Sequence, residues 1–125
     1  MKTHKNLDVW QNSVELVTEI YMLTNAFPEN EKFGLTNQIR RSAVSIPSNI
    51  AEGAGRHSKK EFSRFLNIAQ GSATELETQL IISKNLNFID YEQYENKIEK
   101  LTSIMKMLSG LVRSLKNNHS PFTNP

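Results

Sequence analysis

Cysteine is absent from the 125 residues. That excludes disulfides, thiolate nucleophiles and cysteine-type zinc sites together. Long apolar runs are absent too: no stretch approaches the ~18 residues that a membrane span needs. The opening Met1-Lys2-Thr3-His4-Lys5-Asn6 is polar with no apolar stretch behind it, unlike a secretory signal. The expected location is therefore the cytoplasm, with a bacterial source the natural fit. Histidine is scarce and badly spaced for a metal. His4, His57 and His119 fall in a tail, a loop and a tail, with no Glu-x-x-His and no His-x-x-x-His. No metal and no other cofactor is expected.

What remains is one domain's worth of chain with a helical rhythm. Apolar residues repeat at helical spacing in four segments, about 9–27, 35–52, 59–86 and 91–116. The first carries two stripes, Trp10-Val14-Val17-Tyr21-Thr24 and Val9-Leu16-Ile20-Leu23-Phe27, with Asp8 as the expected N-cap. The second carries Leu35, Ile39, Ala43, Ile46 and Ile50. Pro47 lies inside it and predicts a kink, because proline removes a donor and crowds the carbonyl four residues back. Gly53-Ala54-Gly55 is expected to stop this helix.

Ser58-Lys59-Lys60-Glu61 reads as a capping box that starts the third segment. Its seam is Phe62, Leu66, Ala69, Ala73, Leu76 and Leu80, with Gly71-Ser72-Ala73 offering a place for close approach. Asp90 is the expected cap of the fourth segment. There Tyr91, Tyr94, Ile98, Leu101, Met105, Leu108, Val112 and Leu115 alternate at spacings of three and four. That strict repeat predicts left-handed supercoiling. Short loops make neighbours antiparallel. The expected fold is all-α: an antiparallel up-down-up-down four-helix bundle over residues 1–116, with a flexible tail at 117–125.

Two features exceed what a bundle core needs. Net charge is only +2, yet Arg40, Arg41, Arg56, Lys59, Lys60 and Arg64 face only Glu52 and Glu61 between positions 40 and 64. That segment is a candidate phosphate-attracting surface for RNA or DNA. Second, Ile68, Ile82 and Leu86 sit roughly 120–160° round from the third seam, near Arg64 and Glu75. Val44 and Ala51 lie similarly outside the second stripe, near Arg40. These residues are a candidate interface between copies of the chain.

Catalytic arrangements do not emerge. Ser58 beside His57 is better used as a helix cap than as a nucleophile. The Gly53-Ala54-Gly55-Arg56 loop lacks P-loop spacing and follows a helix. Glu75 and Glu77 point about 160° apart and cannot share a ligand. The chain is expected not to be an enzyme and to take no small-molecule substrate.

Several runs resemble a known family: Leu7-Asp8-Val9-Trp10-Gln11, Phe33 through Gly53 with its Arg40-Arg41 and Ser45-Ile46-Pro47-Ser48-Asn49-Ile50-Ala51-Glu52-Gly53, Glu61-Phe62 through Gly71-Ser72, and Glu75 through Leu80. They are similar to the four-helix-bundle proteins encoded by 23S rRNA intervening sequences, across about Leu7 to Leu115. Ser42 departs from the more usual alanine. The resemblance implies ring-like homopentamers. The similar accessory protein of diversity-generating retroelements implies nucleic-acid contact through basic surface, carried here by the six basic positions above, with a structural role the alternative for Arg40 and Arg41 the freer of the two. It also raises an alternative: an adaptor that binds a protein such as a reverse transcriptase, with no direct contact to nucleic acid.

Overall fold

The computed structural model describes residues 2–117. Four helices make up most of it: α1 (Asp8–Thr24), α2 (Leu35–Ala54), α3 (Lys59–Asn85) and α4 (Tyr91–Lys116). Apart from two short 3-10 turns, His4–Asn6 and Glu29–Glu31, no other regular element occurs among the described residues. The expected tail lies, beyond Asn117, outside the described residues.

Cross-helix pairs show how neighbours run. Ser45 meets Ser72 at 2.8 Å and Ser42 meets Glu75 at 3.5 Å, so α2 and α3 are antiparallel. Lys84 stacks on Tyr94 while Gln70 bonds to the Met105 carbonyl and Ser109, which reverses α4 against α3. Glu19 pairs with Lys97 and Lys100 and Asn12 meets Met107, which closes α4 onto α1 in the same antiparallel sense.

The third seam is buried as expected, from Phe62 through Leu80. Ile39, Ala43, Ile46 and Ile50 of α2 face it. Truncating a fully buried leucine such as Leu76 leaves a cavity worth about 2–5 kcal/mol. On α1 both expected stripes reach the core, with Trp10 and Val17 of the first packed against it at half burial. Val9, Leu16 and Ile20 are buried with Ser13 and Thr24, while Val14 and Tyr21 are exposed. On α4 the buried row is Leu101, Ile104, Leu108 and Leu115, and Tyr91 is exposed.

Helix ends differ from the sequence expectation for local reasons. Asp8 is the first residue of α1 rather than its cap. Leu7 precedes it with no side-chain cap, and Thr3 and Asn6 form a reciprocal capping box on the 3-10 turn before. α1 ends at Thr24, short of Phe27. α2 runs unbroken through Pro47 and on through Gly53.

α2 ends at Ala54 with Gly55 as its C-cap, inside the expected Gly53-Ala54-Gly55 stop, while Gly53 itself is helical. A Cβ there would lie 2.8 Å from the Phe65 Cβ, so the missing side chain lets α2 and α3 meet. Gly71 does not play that part, since the space around it is open. Ser58 caps α3 through the Glu61 amide at 3.0 Å, but Glu61 turns to Arg64 instead of closing the box. Asp90 and Gln93 do form a full box on α4.

Candidate nucleic-acid interface

The six basic residues of the central segment fall into three environments. Arg40 belongs to the architecture. Its Nε donates to Thr24 Oγ1 at 2.9 Å, its Nη2 donates to the Tyr21 carbonyl and to Asn25 Oδ1, and its guanidinium lies 4.5 Å from the Tyr21 ring centroid. A cation placed on the last carbonyls of α1 satisfies groups that a helix end leaves bare and complements its dipole. Its donors are directed inward, to α1.

Arg41, the next residue, is exposed on the crest of α2 and makes no hydrogen bond or ion pair with another described residue. It borders two grooves. One, of about 530 Å³, lies between α2 and α3 and is lined by Gln38, Ser42, Ser45, Ser72, Glu75 and Gln79 among others. The other lies toward Tyr21 and Val44.

The remaining four stand together at the end of the bundle where α2 turns into α3. Phe65, half-buried in the first turns of α3, organises them. Arg64 lies 4.5 Å and Arg56 5.0 Å from its ring centroid. Stacking of this kind suits guanidinium, which is weakly hydrated and planar. Each arginine also pairs with a carboxylate one turn away, Arg56 with Glu52 and Arg64 with Glu61. The hydrogen bond from Arg64, with its charge, holds the Glu61 carboxyl below its ordinary range, and Glu61 in turn raises Arg64. The pairs are exposed and add little to stability, but they fix where the guanidinium planes sit. Each plane keeps donors to spare.

Lys59 and Lys60 occupy the first turn of α3, exposed. Lys59 has no partner among the described residues, and Lys60 acts on Glu61 only through space. The α2–α3 end thus carries four cations against two acids. Arg41 is not part of it, being fifteen residues along the chain from Arg56, about 20 Å of helix.

The expected contact residues between copies are also placed. Val44, Ile68, Ile82 and Leu86 are all exposed, as is Glu75; Ala51 is half-buried. On α3 they form one row. Phe65, Ile68, Ser72, Glu75, Gln79 and Ile82 each precede a buried position by one residue, about 100° round on the helix, and Leu86 follows in the same phase as the C-cap. Arg64 lies beside this row, committed to Glu61 and Phe65.

Phe65 and Gln79 escaped the sequence reading. Phe65 was legible as an aromatic next to Arg64, but its contact with Arg56 depends on the α2–α3 corner. Among the described residues no three His, Asp or Glu side chains gather as a metal site. No helix there is long and apolar enough to cross a membrane.

Comparison with known proteins agrees with this architecture. Residues 5–110 match a family model described as 23S rRNA-intervening sequence protein. A crystal structure from Bacteroides thetaiotaomicron, described as a protein with unknown function from the S23 ribosomal protein family, superposes with a TM-score of 0.76 at 33% identity. The match covers 84% of this chain and 98% of that one. No curated protein matches.

Proposed function

The chain belongs to the 23S rRNA-intervening sequence protein family, and from that premise we propose that it is a non-catalytic, homo-oligomeric bundle that binds nucleic acid through the α2–α3 end. The observation that carries the reading is the corner cluster. Arg56 and Arg64 are oriented by Phe65, and Lys59 and Lys60 stand beside them without a bonded acid. Such a surface suits phosphate backbone rather than base edges, because it offers charge and spare N–H groups. A ring of five copies, the arrangement the family resemblance implies, repeats the corner five times and multiplies weak contacts into avidity. Arg40 has no part in it. The work is done in the cytoplasm, on an assembled surface and without a pocket for chemistry.

Binding of this kind releases counterions, so affinity for a structured RNA falls steeply with salt. Lys59→Ala combined with Lys60→Ala is expected to weaken binding at low salt. It is also expected to reduce the slope of log K against log salt by about one per lysine lost at each bound copy. Titration of labelled RNA at several salt concentrations measures both. Binding that is undetectable at low salt, or indifferent to salt, sinks the reading. The adaptor alternative then gains, with a protein held on the exposed apolar row of α3 and no nucleic acid in contact.

A further inference from the structure

The outer row of α3, exposed at Ile68, Glu75, Ile82 and Leu86, is a second seam rather than a scatter of surface hydrophobes. From Phe65 to Leu86 its members are spaced 3, 4, 3, 4, 3 and 4, the same repeat that drives coiled-coil packing. Its ends are apolar, with Phe65 and Ile68 at one and Ile82 and Leu86 at the other. Its middle is Ser72, Glu75 and Gln79, which form the α3 wall of the groove against α2.

This middle is rich in acceptors that lack donors. The Glu75 carboxylate is approached only by the Ser42 hydroxyl, at 3.5 Å, and that hydroxyl donates at 3.0 Å to the Gln38 carbonyl. Gln79 Oε1 is buried and has no hydrogen-bond partner among the described residues. Glu75 is exposed and so weakly bonded that a cation supplied from outside answers it. Pairing this seam with itself in antiparallel register brings Glu75 against Glu75, which like charge disfavours. The chain does carry a complementary ridge. The crest of α2 presents Arg41, Val44, Ser48 and Ala51 at spacings of 3, 4 and 3, and Arg41 is unpaired among the described residues.

We propose that the α3 second seam of one copy receives the α2 crest of a second copy, with Arg41 of that copy directed to Glu75. The inference rests on the homo-oligomer reading above and assigns its two faces. It also separates Arg41 from the nucleic-acid surface, which lies at the other end of α2.

Light scattering on the full chain tests it. The wild type is expected to run as a multiple of 14.3 kDa, about 72 kDa for a ring of five. Arg41→Glu and Glu75→Arg are each expected to shift the mass toward one copy while keeping wild-type helicity by circular dichroism. The double variant R41E/E75R is expected to recover the assembly. A monomeric wild type overturns the homo-oligomer reading itself. An oligomeric wild type whose mass neither single reversal changes overturns only this assignment of faces, and so does a double variant that fails to reassemble. Should a reversal cost helicity, Arg41→Gln and Glu75→Gln serve instead. Each is expected to weaken assembly at least tenfold, and the double variant no more than either alone. Additive losses overturn the direct pair.

Discussion

Arg40 and Arg41 are neighbours of one type with opposite employment, and only the fold separates them. Arg40 reaches back sixteen residues to Thr24 and holds the end of α1. Arg40→Met keeps the apolar stem and loses the hydrogen bonds, so it is expected to destabilise by roughly 1–3 kcal/mol. Urea unfolding measures the loss. RNA affinity of the folded variant should be unchanged, which separates Arg40 from Lys59 and Lys60. Charge puts Arg40 and Arg41 in one basic set and helical phase marks Arg41 as the freer, but the choice of a structural role for Arg40 needed its partners on α1, which the sequence does not show.

Glu19 is the other residue with a measurable signature. Burial raises its carboxyl, but hydrogen bonds from Lys100 and Lys97 outweigh that and hold it below its ordinary value. A depressed folded pKa means the contribution is complete above the unfolded value, near 4.3, and disappears as pH falls through the folded one. Glu19→Gln is thus expected to cost up to about 1 kcal/mol at pH 7. The gap from wild type should close toward pH 3, as read from urea midpoints at the two pH values.

Among the elements, α2 and α3 were the most legible. Their core rows keep helical spacing, and every member but the half-buried Leu35 is buried. α1 was less so, because Val14 and Tyr21 are apolar in the chain yet lie outside the core face, Tyr21 serving as a platform for Arg40. Ile104 of α4 was missed because the regular 3–4 alternation drew the row through Met105, one position away. Helix ends depend on hydrogen bonds that composition does not spell out. The end of α3 is an example.

Asn87 takes a left-handed conformation, φ 61°, while the Phe88 amide donates to the Ser83 carbonyl and the Asn87 amide to the Lys84 carbonyl. This is the Schellman arrangement, which usually recruits glycine. Asparagine tolerates the conformation and alanine does not. Asn87→Ala is expected to lower stability by roughly 1 kcal/mol, and Asn87→Gly to match or exceed wild type. Thermal unfolding of the pair tests the backbone argument independently of any side-chain contact.

At the scale of the molecule, four antiparallel helices present different surfaces along their length. The α2–α3 end concentrates cations around Phe65, and the side of α3 carries a long row with apolar ends. The proposed binding and the proposed assembly are therefore expected to be lost separately, by substitution of Lys59 and Lys60 on one hand and of Arg41 and Glu75 on the other. The general location of the basic segment was readable from charge counting. Its division into a corner, a crest and a half-buried brace was not, because that requires knowing which helix lies next to which.

The one-residue offset between the two rows of α3 bears on how this chain can change over generations. A helix with a single buried stripe leaves most of its surface to drift. Here adjacent stripes claim about four positions in every seven between Phe62 and Leu86, and many positions of one row sit directly beside a position of the other. An insertion or deletion of one residue would rotate both rows together, exchanging core for contact surface. Of the four helices, α3 is the one whose length and phase are least free to vary.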